Sequence, residues 1–143
     1  MLLVVDTNVV VSGLLQARGP SGQIVRWLAN GALTLAFDAR ILIEYREVLG
    51  RPKFRFDPEL VGEFLDHLER TGLSTAPAPL RTHLADPDDE PFLEVALAAK
   101  VPFLVTGNQR HFPKQMEGVQ IVSPRELVEV FRSNFLSPSP SGE

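Results

Sequence analysis

Leu2-Leu3-Val4-Val5 is an unbroken apolar run that stops abruptly at Asp6-Thr7-Asn8. A short apolar run with β-branched residues reads as a strand covered on both faces, as in a parallel sheet. Phe103-Leu104-Val105 repeats the pattern and stops at Thr106-Gly107-Asn108. Leu33–Phe37 and Val119–Val122 supply two further strands. Between them the spacing changes to that of helices. Val9–Leu15 is apolar apart from Ser12 and Gly13, and Arg18-Gly19-Pro20-Ser21 breaks it, with Ser21 placed to cap the next helix. Ala39–Leu49 carries Ile41, Leu42, Tyr45, Val48 and Leu49 on one face. Pro58–Thr71 is a charged amphipathic helix, and Pro91–Lys100 is a more apolar one. Ser123-Pro124, followed by Glu126, opens the last helix with a capping box. Strands that alternate with helices predict an α/β protein, a three-layer α/β/α arrangement around a central, mainly parallel sheet. One domain spans residues 1–132, and the Ser/Pro-rich residues 133–143 read as a flexible tail. Leu73–Leu84, rich in Pro and Ala, reads as an extended crossing.

In open α/β sheets, ligands bind in the crevice beyond the carboxyl ends of the strands. Asp6 stands at that edge, although alone it reads equally well as a helix N-cap. Glu44 lies close to the apolar face of its helix, where a carboxylate is costly to bury unless paired or bound to a metal. Arg40 and Arg51 are its ordinary ion-pair candidates. Asp86-Pro87-Asp88-Asp89-Glu90 places four acids in five residues, more than capping the following helix requires. Such acids repel one another unless a cation neutralises them. Thr106 and Asn108 emerge beside Asp6 if their strand runs parallel to the first. Arg51-Pro52-Lys53-Phe54-Arg55-Phe56 alternates cations with aromatics. It reads either as a grip for phosphates and bases, through Arg51, Lys53 and Arg55, or as a solvated loop whose rings plug the core. His111 is a possible base or phosphate contact, His67 reads as a surface residue, and His83 lacks the neighbours of a zinc site.

The chain has 143 residues, no cysteine and a formal net charge of −4. Disulfides and thiolate metal sites are therefore excluded, which leaves oxygen ligands and hard cations, Mg²⁺ or Mn²⁺. The negative charge recommends no polyanion, so RNA would need a metal or a local basic patch. No stretch approaches a membrane span, and the opening residues lack the basic start of a signal peptide. A cytoplasmic location with no membrane partner is the expectation.

Leu3-Val4-Val5-Asp6-Thr7-Asn8 resembles the opening of a PIN domain. So do Ile41-Leu42-x-Glu44-Tyr45-x-x-Val48-Leu49 with Arg51-Pro52-Lys53-Phe54, then Asp86-Pro87-Asp88-Asp89 with Leu93 and Ala96, and finally Val105-Thr106-Gly107-Asn108-x-x-His111-Phe112. The four blocks occur in the family's order. The resemblance implies a PIN-like, Rossmann-like fold and a metal-dependent endoribonuclease, closest to the VapC-like toxins of type II toxin–antitoxin pairs. It implies Asp6, Glu44, Asp89 and Asn108 as catalytic residues. Asp6, Asp89, Glu44 and Asp86 become the metal ligands, with Thr7, Asn8, Asp88 and Thr106 in support. Asn108 stands where many relatives carry Asp; an amide adds no charge, which weakens a second metal site. A cognate antitoxin and a homodimer or higher oligomer are the implied protein partners, with the helices at Val9–Leu15 and Pro58–Thr71 as candidate faces. Two other readings stand beside this one. The first is a catalytically inactive PIN-fold module that binds RNA or protein. The second is a haloacid-dehalogenase-like phosphatase, which would want a second Asp where Asn8 stands.

Overall fold

The computed structural model describes residues 1–136. Six strands form one sheet in the order β3-β2-β1-β4-β6-β5. These are β1 (Leu2–Val5), β2 (Thr34–Phe37), β3 (Leu73–Ser74), β4 (Phe103–Val105), β5 (Gln115–Met116) and β6 (Val119–Val122). Every pairing is parallel except that of β5 with β6. The helices are α1 (Thr7–Leu15), α2 (Pro20–Ala29), α3 (Ala39–Leu49), α4 (Pro58–Thr71), α5 (Glu90–Ala99) and α6 (Pro124–Phe131). They complete the three-layer α/β/α architecture. A π-helical turn, Arg132–Leu136, continues α6. The remainder of the tail expected from residue 133 lies outside the described residues.

β1 is central because nothing in it needs water. Leu3, Val4 and Val5 are fully buried, and successive side chains of a strand point to opposite faces, so both faces of β1 are covered. β2 pairs along one side of it and β4 along the other, with Val5 opposite Val105. That register brings the residues following both strands, Asp6 and Thr106, to one edge of the sheet.

α1 begins at Thr7, two residues before its apolar run, so the polar pair Thr7-Asn8 lies in its first turn. α1 and α2 approach closely. A methyl group at Gly13 would come within 2.5 Å of the Ser21 carbonyl oxygen and of Val25. The break between them is built differently from the sequence expectation. Gly19 occupies the N-cap and Pro20 the first turn, while Ser21 is buried inside α2. α3, α4 and β6 have the bounds that their periodicity predicts. α5 begins at Glu90, and Lys100 follows it in the left-handed region with φ 55°. The two-residue strands β3 and β5 sit at the two edges of the sheet. His67 is half-buried, its Nε2 3.2 Å from the carbonyl oxygen of Leu28, rather than a free surface residue. No helix among the described residues is long and apolar enough to cross a membrane.

Candidate active site

Asp6 occupies the N-cap position of α1, yet its carboxylate makes no capping hydrogen bond. It turns instead toward β4. Its backbone N–H donates to the Val105 carbonyl at 2.8 Å, and the Thr106 hydroxyl donates to Oδ2 at 2.7 Å. The register of β1 with β4 therefore fixes the side chain as well as the strand. Asp6 is 6% exposed. Burial raises its carboxyl to about 6, against the opposing hydrogen bond from Thr106, and the negative charges of Asp89 and Glu44 add to the rise.

Glu44 reaches the same place from α3. The Thr7 hydroxyl donates to its Oε2. Neither of its expected cationic partners meets it: Arg40 pairs with Asp38 and Glu94, and Arg51 pairs with Glu47. Burial raises the Glu44 carboxyl, the Thr7 bond opposes this, and Asp88, Asp89 and Glu47 push it further up. The neighbouring residue, Tyr45, points the other way, fully buried, and its hydroxyl donates to the Val5 carbonyl. This anchor ties α3 to the end of β1.

The acidic segment divides its labour. Asp86 accepts from the Asp88 N–H at 2.9 Å and so caps the 3-10 turn Pro87–Asp89. That turn delivers Asp89, buried, to the start of α5. Burial raises the Asp89 carboxyl, Asp86 adds to this, and His111 acts against it. His111 Nδ1 stands 3.1 Å from Asp89 Oδ2.

An open cleft of about 490 Å³ collects Asp6, Thr7, Asn8, Glu44, Asp86, Asp89, Asn108 and His111. Its walls are completed by Val11, Ser12, Leu15, Gln16, Val48 and Phe54. Asn8 accepts from the Gly107 N–H at 3.2 Å, and the Thr106 hydroxyl accepts from the Asn108 N–H at 3.0 Å. These bonds hold the loop after β4 against the start of α1. Thr106 lies fully buried behind the cleft, and two groups of predicted residues stay outside it. Asp88 is exposed and does not line the cleft. Arg51, Lys53 and Arg55 are exposed beyond it, while Phe54 between them faces in. His111 was legible only as a generic candidate, because its pairing with Asp89 depends on a 3-10 turn, Gln109–His111, that has no periodic signature. The apolar wall read as ordinary core.

The donor set is all oxygen apart from His111, and Asp6 and Glu44 meet no cation among the described residues. Among those residues no three His, Asp or Glu side chains form a ready-made metal cage. Mg²⁺ needs none, since it is held by one or two carboxylates with water and substrate oxygens completing its shell. Asp6 and Asp89, each with its charged form disfavoured by burial, fit that role.

A mainly parallel α/β sheet with acids gathered at its carboxyl edge defines a class, that of three-layer α/β/α proteins with an acidic cleft at the sheet edge. A family model described as PIN domain matches residues 2–110, and the chain belongs to the PIN-domain family. PIN domains are in general nucleases that use divalent metals. No curated protein and no solved structure matches the chain.

Proposed function

We propose that this protein is an Mg²⁺- or Mn²⁺-dependent endoribonuclease and the toxin of a type II toxin–antitoxin pair. The observation that carries the first half is the meeting of Asp6, Glu44 and Asp89, from three distant segments, around one cleft with their carboxyl pKa values all raised. Groups that resist ionisation alone are stabilised by a divalent cation. Asp6 and Asp89 would hold it, with Glu44 and the amide oxygen of Asn108 at its flanks and Asp86 reaching in from the rim. The bound cation supplies positive charge against the phosphodiester and lowers the pKa of water.

The chain's own residues do the rest. Thr106 holds Asp6 through one oxygen and leaves the other for the cleft. Thr7 orients Glu44, the carboxylate best placed to take a proton from attacking water. His111 steadies Asp89. Lys53 and Arg55 lie exposed near the mouth and draw in the RNA backbone, whereas Arg51 is engaged by Glu47. The neutral Asn108 favours a single metal over two.

The test is cleavage of a mixed pool of transfer, ribosomal and messenger RNA with and without Mn²⁺. Asp6→Asn should abolish cleavage while the protein stays folded; undiminished cleavage by that variant would sink the reading. The toxin role rests on the family resemblance. It expects growth arrest on expression, relieved by the product of a neighbouring small reading frame, together with a homodimer in solution. A second reading, an inactive binding module, draws on the neutral Asn108 in the cleft and on the net charge of −4. That module would show neither cleavage nor Mn²⁺-dependent stabilisation. A phosphatase using Asp6 as nucleophile is disfavoured, because Asn8 holds the Gly107 N–H where a second acid would be needed.

A further inference from the structure

The acid floor of the cleft runs on into an apolar trough. Thr7, Val11 and Leu15 follow one another at four-residue intervals along α1, and Glu44 and Val48 do so on α3. Residues four apart share a helix face. Along these two rows a polar residue stands at the floor and apolar side chains beyond it, while Ser12 and Gln16 line the cleft beside the row on α1. The hydrogen bond from Thr7 to Glu44 closes the polar end. At about 1.5 Å per residue, Leu15 lies about 12 Å along α1 from Thr7. Phe54 lines the same cleft, its ring stacked on Phe56 at 5.6 Å between centroids and 18° between planes. The Lys53 ammonium lies 5.1 Å from the Phe54 centroid. Leu15 is 53% exposed, so the trough is not closed by the chain's own packing.

A phosphodiester gains nothing from an apolar wall, whereas a nucleobase stacks on one. We infer that Val11, Leu15, Val48 and Phe54 form a nucleobase subsite. It takes one base of a single-stranded RNA whose adjoining phosphodiester lies over Asp6, Glu44 and Asp89. The inference rests on the ribonuclease reading. Phe54 is the stacking platform, and its own stack on Phe56 holds the ring in place before substrate arrives, so little order is lost on binding. Lys53, exposed, lies over the Phe54 ring in the free protein; it yields that face to the base and meets the backbone of the same nucleotide. Double-stranded RNA keeps its bases inside the helix, so the trough selects single strands and loops.

The test uses the full chain and mixed-sequence single-stranded oligonucleotides carrying 2-aminopurine at successive positions. Binding is followed by fluorescence in Ca²⁺, and cleavage is followed in Mn²⁺. One position should be quenched. Phe54→Ala should abolish that quench and raise both the dissociation constant and KM by about tenfold, while Phe54→Tyr retains binding. Leu15→Ser, at an exposed position, should weaken the quench in the same direction and guards against a folding defect in the first variant. Removing the base at the quenched position should weaken the wild type by the same factor and Phe54→Ala no further. Full loss in Phe54→Ala on the base-free substrate overturns the subsite. So does an oligomer or protein complex that Leu15→Ser dissociates while RNA binding is unchanged, since the trough would then house protein. A Phe54-dependent quench without cleavage in Mn²⁺ or Mg²⁺ removes the ribonuclease reading and leaves the subsite. Cleavage without that quench removes the subsite alone, and absence of both removes both.

Discussion

Asp6 exposes 6% of its surface and pairs with no cation among the described residues. Its carboxyl is pushed up from 3.8 to about 6. A raised pKa means that the folded protein binds the proton more tightly than the unfolded chain. The stability this contributes is complete below about 3.8 and is lost as pH rises to about 6. The metal-free protein should therefore lose up to about 3 kcal/mol between pH 4 and 7 from this group. Chemical denaturation across that range reads it directly, and Asp6→Asn should flatten the slope while raising stability at pH 7. The same proton competes with a cation, so Mn²⁺ affinity should climb with pH through about 6. Thr106→Val removes the side-chain hydrogen bond that favours the charged form. It should shift the rise in Mn²⁺ affinity to higher pH, and it should cost about 1 kcal/mol of stability. Sequence placed Asp6 at the right edge but left cap and site open. Its carboxylate turns from the cap toward a hydroxyl of residue 106, which no local pattern around residue 6 contains.

The helices and strands divide by how long a pattern they carry. α3 and α4 are long enough to repeat their apolar face, and β1 and β6 are long enough to show a run, so each was legible to the residue. β3 and β5 have two residues each and no period to display. Their pairing follows from where β2 and β6 already lie. The start of α2 was misread because Ser21 carries a cap-like side chain, while the crowding that buries it comes from Gly13 on another helix. That crowding makes a prediction. Gly13→Ala would drive a methyl group into the Ser21 carbonyl and Val25, and overpacking of this kind costs about 1–3 kcal/mol. Thermal melting should show the loss. By contrast, Ser123→Ala removes a capping box whose two hydrogen bonds are both formed, at about 1 kcal/mol. Neither change touches the cleft, so each should lower the melting temperature and leave activity at low temperature intact.

For the molecule as a whole, net charge −4 and a cleft lined by acids oppose RNA binding. Of the cations on α3 and the segment around Phe54, Arg51 is already engaged by Glu47 and Arg46 by Asp66. Few cations are left to neutralise phosphates. RNA affinity should then fall only gently with salt, with a log–log slope of about 1–2, since each neutralised phosphate of a single strand contributes about 0.7. A steep slope would place the binding surface elsewhere. Saturating Mn²⁺ should stabilise the fold by about 2.7 kcal/mol at a hundred times its dissociation constant, and Asp6→Asn should abolish the effect. The sheet and its edge were legible because three of the four acidic or amide blocks end strands or begin a helix, while Glu44 lies within α3. The trough beside them was not, because Val11, Leu15 and Val48 carry the periodicity of any packed helix and differ only in what they face.

The bond between Thr106 and Asp6 joins positions 100 residues apart. On a ribosome, at about 5–20 residues per second, Asp6 waits several seconds or more for its partner. β1 lacks one of its two neighbours until β4 has been made. A nascent chain stopped before residue 106 holds Asp6, Glu44 and Asp89 but lacks the hydroxyl that fixes the Asp6 carboxylate. The acidic edge of the sheet is thus completed late in synthesis, by the order in which its segments are written.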